Sequence, residues 1–114
     1  MSRAEAAAPS RVRDAAPLFA ALGDETRLAL LVRLASGGPA SIASLSAKSR
    51  VSRQAITKHV QVLAEAGVIK TSRQGRQRIC ELDPSRLADA QKYLDRISQQ
   101  WDDALGRLKR FVEG

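Results

Sequence analysis

The chain has 114 residues, 44% of them hydrophobic and only 4% aromatic, a composition that suits one mostly helical domain with a Leu, Ile, Val and Ala core. Its single cysteine, Cys80, excludes an intrachain disulfide framework, and no apolar run approaches the roughly 18 residues that span a bilayer. The net charge of +7 resides entirely between Lys48 and Arg78, where eight basic residues stand against one acid, Glu65, while the rest of the chain balances at 11 against 11. A basic block on an otherwise neutral chain is the electrostatic footprint of a polyanion partner, or else a solvated face.

Residues 1–13 are rich in Ala, Ser and Arg without apolar periodicity and read as a flexible N-terminal tail, leaving 14–114 as the folded domain. The tail lacks the apolar stretch of a secretory signal, so a cytoplasmic location is expected. Leu18, Phe19 and Leu22 follow Pro17 at helical spacing, and Gly23 closes that first short helix. Asp24 suits the N-cap of a second helix, about Glu25 to Ala35, carrying Leu28, Leu31, Val32 and Leu34 and stopped by Gly37, Gly38 and Pro39.

From Ser41 a short helix turns Ile42 and Leu45 inward. After a break at Ser49 and Arg50, Ser52 caps a longer helix whose Ile56, Val60 and Leu63 lie at i, i+4 and i+7. Arg53, Gln54, Thr57, Lys58 and Gln61 occupy its opposite face, and Gly67 ends it. Val68 to Ser72 and Gln77 to Leu82 form a β-hairpin about Gln74 and Gly75, with Arg73, Arg76 and Arg78 near its tip. Asp83 and Pro84 open a final helix running to about Val112. Along it Leu87, Ala90, Leu94, Ile97, Trp101, Leu105, Leu108 and Val112 recur at three- and four-residue steps, a seam that needs a second helix, most economically the same helix of another copy.

Two helices joined by a tight turn, the second polar and basic on its free face, then a hairpin with arginines at the tip, is the order of a winged helix-turn-helix: about five helices plus a two-stranded wing, dimeric through the terminal helices. The second helix of the pair fits a DNA major groove, and the wing reaches phosphates or the minor groove. The expected contacts to double-stranded DNA are Lys48, Arg50, Ser52, Arg53, Gln54, Thr57, Lys58, His59, Gln61, Arg73, Arg76 and Arg78. Arg53 and Gln54 are the expected base readers. The expected dimer interface is Leu18, Phe19, Leu22, Leu87, Leu94, Ile97, Trp101, Leu105 and Leu108.

Ala21-Leu-Gly-Asp-Glu-Thr-Arg27, Val51-Ser-Arg-Gln-Ala-Ile-Thr-Lys-His-Val60 and Leu63-Ala-Glu-Ala-Gly-Val-Ile69 together resemble the ArsR/SmtB family of bacterial repressors over about residues 18–82. The resemblance implies a homodimeric repressor on a palindromic operator, with Ser52, Arg53, Gln54, Thr57, Lys58 and His59 at recognition-helix positions. The family often has Gln and then Pro or a small residue where this chain has Arg53 and Gln54, which leaves the fold intact and alters the operator that is read. Metal sensing does not carry over. The family's thiolate motif aligns with Ser41, Ile42 and Ala43, and one Cys with one His cannot supply the three or four convergent ligands such a site takes. Neither a cofactor nor an identifiable small-molecule effector is implied.

Three residues carry two readings each. His59 is a phosphate or packing contact, or a pH or metal switch. Cys80 is a small apolar strand residue, or a thiolate sensor that would make the protein a redox-responsive repressor. Trp101 is dimer core, or the wall of a ligand pocket. Arg27 either reaches a phosphate or pairs with Asp24. No phosphate loop, nucleophile elbow or Cys–His pair supports an enzyme. A protein-binding winged helix would need exposed apolar anchors on a recognition face that is instead polar.

Overall fold

Ser, Asp and Gly punctuate this chain at short intervals, and each break falls where a helix must start or stop. The computed structural model describes residues 12–113. They form α1 (Val12–Leu22), α2 (Glu25–Gly37), β1 (Ala40–Ser41), α3 (Ile42–Ala47), α4 (Arg53–Glu65), β2 (Ile69–Gln74), β3 (Gln77–Leu82) and α5 (Pro84–Glu113). The five helices and the hairpin match expectation. The expected tail lies outside the described residues apart from positions 12 and 13, which belong to the first turn of α1.

Three side chains cap helices as the sequence indicates. Asp24, Ser41 and Ser52 have extended backbones and accept from the amides of Arg27, Ser44 and Ala55 respectively, satisfying N–H groups that a helix start leaves orphaned. At the other end of α4, Val68 N–H donates to Leu63 O across Gly67, whose φ of +80° reverses the chain. The wing turns on Gly75 at φ +62°, the first position of a two-residue loop between Gln74 and Gln77, as a type II′ hairpin requires.

The structure corrects the expectation in two places and adds to it in a third. Helix α1 does not start after Pro17 but runs through it, because Ala15, Leu18 and Ala21 form one buried stripe that continues across the proline and offsets its missing N–H. On α2 the inward residues are Leu30, Leu31 and Leu34, while Leu28 and Val32 are 47% and 66% exposed. The two-stranded wing hairpin gains a third strand at its base, because Ala40 and Ser41 pair antiparallel with Cys80 and Ile79, giving a sheet ordered β1-β3-β2.

Leu18, Leu30, Leu34, Ile42, Leu45, Ile56, Val60, Leu63, Val68, Ile69 and Cys80 make one core beneath the sheet, with Ala90 of α5 at its edge. Phe19 and Tyr93 pack ring against ring at 5.7 Å, fastening α1 to α5. Beyond that contact α5 leaves the body, and of its thirty residues only Ala90 is buried.

Candidate nucleic-acid interface

Ile56, Val60 and Leu63 are 0%, 2% and 0% exposed, so the inner face of α4 is fixed in the core and its rotation about its own axis is set. The residues between those anchors must then face out. Ser52, Arg53, Gln54, Lys58 and Gln61 are all exposed, and Thr57 is half-buried. Thr57 Oγ1 donates to Arg53 O at 2.9 Å, so its hydroxyl proton is used within the helix, leaving an acceptor and a methyl group to meet a base edge. Gln61 Nε2 donates to Glu65 Oε1 at 3.3 Å.

Lys48 and Arg50 are exposed in the turn between α3 and α4. That turn is tight because Ser49 N–H donates to Ser46 O and Val51 N–H to Ser49 Oγ. Among the described residues, Lys48, Arg50, Arg53, Lys58, Arg73, Arg76 and Arg78 enter no ion pair. Arg73 and Arg78 are moreover directly opposite in the β2–β3 ladder, on the face that carries Ile69, Cys80 and Leu82 nearer the body. Lys70, three rungs nearer the body and on the opposite face, is opposite Glu81 instead. Among the described residues, the one hydrogen bond from the Arg78 side chain is a long one, Nη2 to Thr71 Oγ1 at 3.5 Å. Among the same residues neither Arg73 nor Arg78 has an anionic partner.

His59 is half-buried at the N-terminus of α2, with Nδ1 3.2 Å from Arg27 Nη1 and 3.9 Å from Asp24 Oδ2, contacts that fit the packing part of its expected role. Arg27 meets Asp24 through its backbone N–H, which donates to Oδ2 at 3.0 Å, while its guanidinium turns to α1. Its Nε donates to Ala21 O at 2.6 Å and its Nη2 to Ala20 O at 3.3 Å, closing the last turn of α1. The Asp24 carboxyl is held below its ordinary value by the Arg27 N–H it accepts, an effect that burial opposes and the nearby Arg27 and His59 side chains reinforce.

Arginines from neighbouring elements end two other helices. Arg33 donates to the Leu45 and Ser44 carbonyls of α3, and Arg86 Nε to Ala66 O at the end of α4. Sequence reasoning missed all three, because nothing local marks an arginine whose acceptor lies on another element. Cys80 is 0% exposed and burial pushes its thiol up, with Arg78 only partly opposing, which favours the packing reading over a reactive thiolate.

Of the expected dimer residues, Leu18 is a correction: at 1% exposure it is spent in its own core. Phe19, Leu22 and Leu87 are half-buried against that core. Leu94, Trp101, Leu105 and Leu108 are 51%, 63%, 55% and 58% exposed among the described residues. Among the described residues no three His, Cys, Asp or Glu side chains gather as a metal site. No helix is long and apolar enough to cross a membrane.

A helix-turn-helix domain family matches residues 22–72, from the end of α1 to the middle of β2. The chain is 36% identical to an HTH-type transcriptional regulator of Mycobacterium tuberculosis over 82% of this chain and 83% of that protein. Its fold superposes on an ArsR-like transcriptional regulator from Rhodococcus sp. RHA1 with a TM-score of 0.74 and 35% identity, covering 84% of this chain and 90% of that one. The antimony-specific repressor AntR is similar at a TM-score of 0.59 and 27% identity, over 89% of this chain and 86% of that one.

Proposed function

Because this chain belongs to the ArsR family of winged helix-turn-helix transcriptional regulators, DNA-binding proteins and not enzymes, we propose that it is a homodimeric repressor that reads a palindromic operator. One observation carries the reading: an exposed, polar α4 face set by a buried stripe, next to basic groups that have no protein anion among the described residues. Guanidinium and amide forks at Arg53 and Gln54 suit guanine and adenine edges in the major groove, with Ser52 and Thr57 beside them. Lys48, Arg50, Lys58, Gln61 and the wing arginines Arg73, Arg76 and Arg78 take phosphates or the groove rim.

Two protomers joined through their terminal helices set the two α4 helices ~34 Å apart, one turn of DNA, so each half-site repeats inverted. Occupying such a site blocks polymerase, and the protein works in the cytoplasm beside the DNA. The response does not run through a thiolate and imidazole metal centre, since the chain has one Cys and one His.

Fluorescence anisotropy of the purified protein on duplex DNA from its own upstream region, beside random duplex and across a salt series, tests this. The expected result is a salt-dependent preference for the upstream duplex, saturating at about two chains per site. Equal, weak binding to both duplexes would remove sequence-specific repression at that region. Absence of binding at low salt would remove DNA as the partner.

A further inference from the structure

The Arg27 guanidinium joins three elements at one point. It holds the last carbonyls of α1 through Nε and Nη2, it belongs to the first turn of α2, and its Nη1 meets Nδ1 of His59 on α4 at 3.2 Å. Arginine has donors only, so in this contact Nδ1 must accept and the imidazole proton must sit on Nε2. Asp24 Oδ2, at 3.9 Å, lies outside hydrogen-bond range of the ring and serves the Arg27 amide instead. Gly23 lets the α1–α2 corner close this tightly, because a Cβ there would stand 3.3 Å from Phe19 O.

We propose that the Arg27–His59 hydrogen bond is a positioning link, fixing the recognition helix α4 relative to α1 so that Arg53 and Gln54 meet base edges at the correct pitch. His59 acts through α4 and touches no DNA. The core stripe of Ile56, Val60 and Leu63 sets which face of α4 points outward, but apolar contacts are non-directional and leave the tilt of the helix loosely held. A charged hydrogen bond at His59, on the same helix as Arg53 and Gln54 and five residues past Gln54, supplies the missing direction. The inference rests on the DNA-binding reading and adds that specificity, rather than affinity, depends on a residue behind the interface.

The test compares wild-type protein with His59→Asn, whose Oδ1 replaces the Nδ1 acceptor, with His59→Leu, which removes it, with Arg27→Met, and with Arg27→Met combined with His59→Leu. The ratio of operator to random-duplex affinity is measured by anisotropy, and the chain's sole histidine is read by imidazole ¹⁵N NMR. Wild type should show Nδ1 as the unprotonated nitrogen, and Arg27→Met should shift that resonance. His59→Leu should cut the specificity ratio about tenfold, while random-duplex affinity and its salt slope stay near wild type. His59→Asn should restore most of the ratio.

Adding Arg27→Met to His59→Leu should cost less than the two single losses summed, since both remove the Arg27–His59 bond, while Arg27→Met also frees the Ala20 and Ala21 carbonyls. A protonated Nδ1, equal ratios in wild type and His59→Leu, or additive losses in the double variant would each overturn the link. If wild type itself fails to discriminate, the DNA reading falls and takes the link's role with it. The nitrogen resonances then still report whether the hydrogen bond exists.

Discussion

Arg73 and Arg78 face each other across the wing ladder, and like charges directly opposite destabilise a sheet that has nothing to neutralise them. In the proposed function a DNA phosphate between the two groups would supply the missing counter-charge. Arg73→Ala is therefore expected to leave folding stability level or raise it by about 0.5 kcal/mol in urea unfolding. It should weaken binding to operator and random duplex alike and flatten the salt slope by about one. At Ser52 the balance is reversed, because its side chain accepts from Ala55 N–H at 3.1 Å and caps the recognition helix. Ser52→Ala should cost about 1 kcal/mol in the same assay, and Ser52→Gly only a few tenths.

Asp24 adds a pH dependence whose sign is fixed by its lowered carboxyl. A depressed folded value means stability that is fully present above the ordinary value of 3.8 and is lost as pH falls through the folded value. Asp83, lowered mainly by the hydroxyl and then the amide of Ser85, acts in the same sense. Since Asn caps as well as Asp, Asp24→Asn should unfold with a shallower acid limb below about pH 4 and with a similar midpoint at neutral pH. An unchanged acid limb would show that the cap carries no proton linkage.

At the scale of elements, the legible parts were those with local punctuation. The α4 stripe, its Ser52 cap and the Gly67 stop are all specified within sixteen residues, and the structure reproduces each. Two predictions test that segment by urea unfolding. Leu63→Ala, at a site with 0% exposure, should cost about 2–5 kcal/mol. Gly67→Ala should cost about 1–2 kcal/mol, because φ stays at +80° even if the flexible Arg86 side chain, 2.9 Å from the new Cβ, moves aside. Less legible were the elements whose neighbours decide them. Helix α2 carries leucine or valine at 28, 30, 31, 32 and 34, so apolar residues lie all around it, and the inner side is chosen by packing against α4 and β3. Two-residue β1 has no periodicity to read, and it exists because β3 offers an open edge beside it. The inward turn of His59 was equally hidden, since its partner Arg27 lies 32 residues away.

For the whole molecule, the dimensions themselves call for a partner. The radius of gyration is 18.4 Å, where a self-contained chain of this length packs to about 13 Å, and the longest extent of 66 Å reflects α5 running free of the body. Trp101, Leu105, Leu108, Phe111 and Val112 are each more than half exposed on that free length, more contiguous apolar surface than a monomer ordinarily leaves in water. The steps from Trp101 to Leu105, Leu108 and Val112 are four, three and four, a heptad seam. If two copies of this seam pair antiparallel, Leu105 meets the partner's Leu108, Trp101 meets the partner's Val112, and Asp102 comes near the partner's Lys109. Parallel pairing would set Asp102 against its own copy, like against like. Trp101→Asp should therefore halve the mass seen by light scattering, and dilution of the wild type should red-shift the emission of this single tryptophan. Asp102→Lys or Lys109→Asp alone should weaken the dimer modestly, and the two together should recover it, because the swap restores opposite charges only when the helices run antiparallel. Failure of the double variant to recover would favour a parallel seam. Either orientation keeps the dimer two-fold, so the half-sites of the proposed operator stay inverted and the charge swap alone reports which way the α5 helices run.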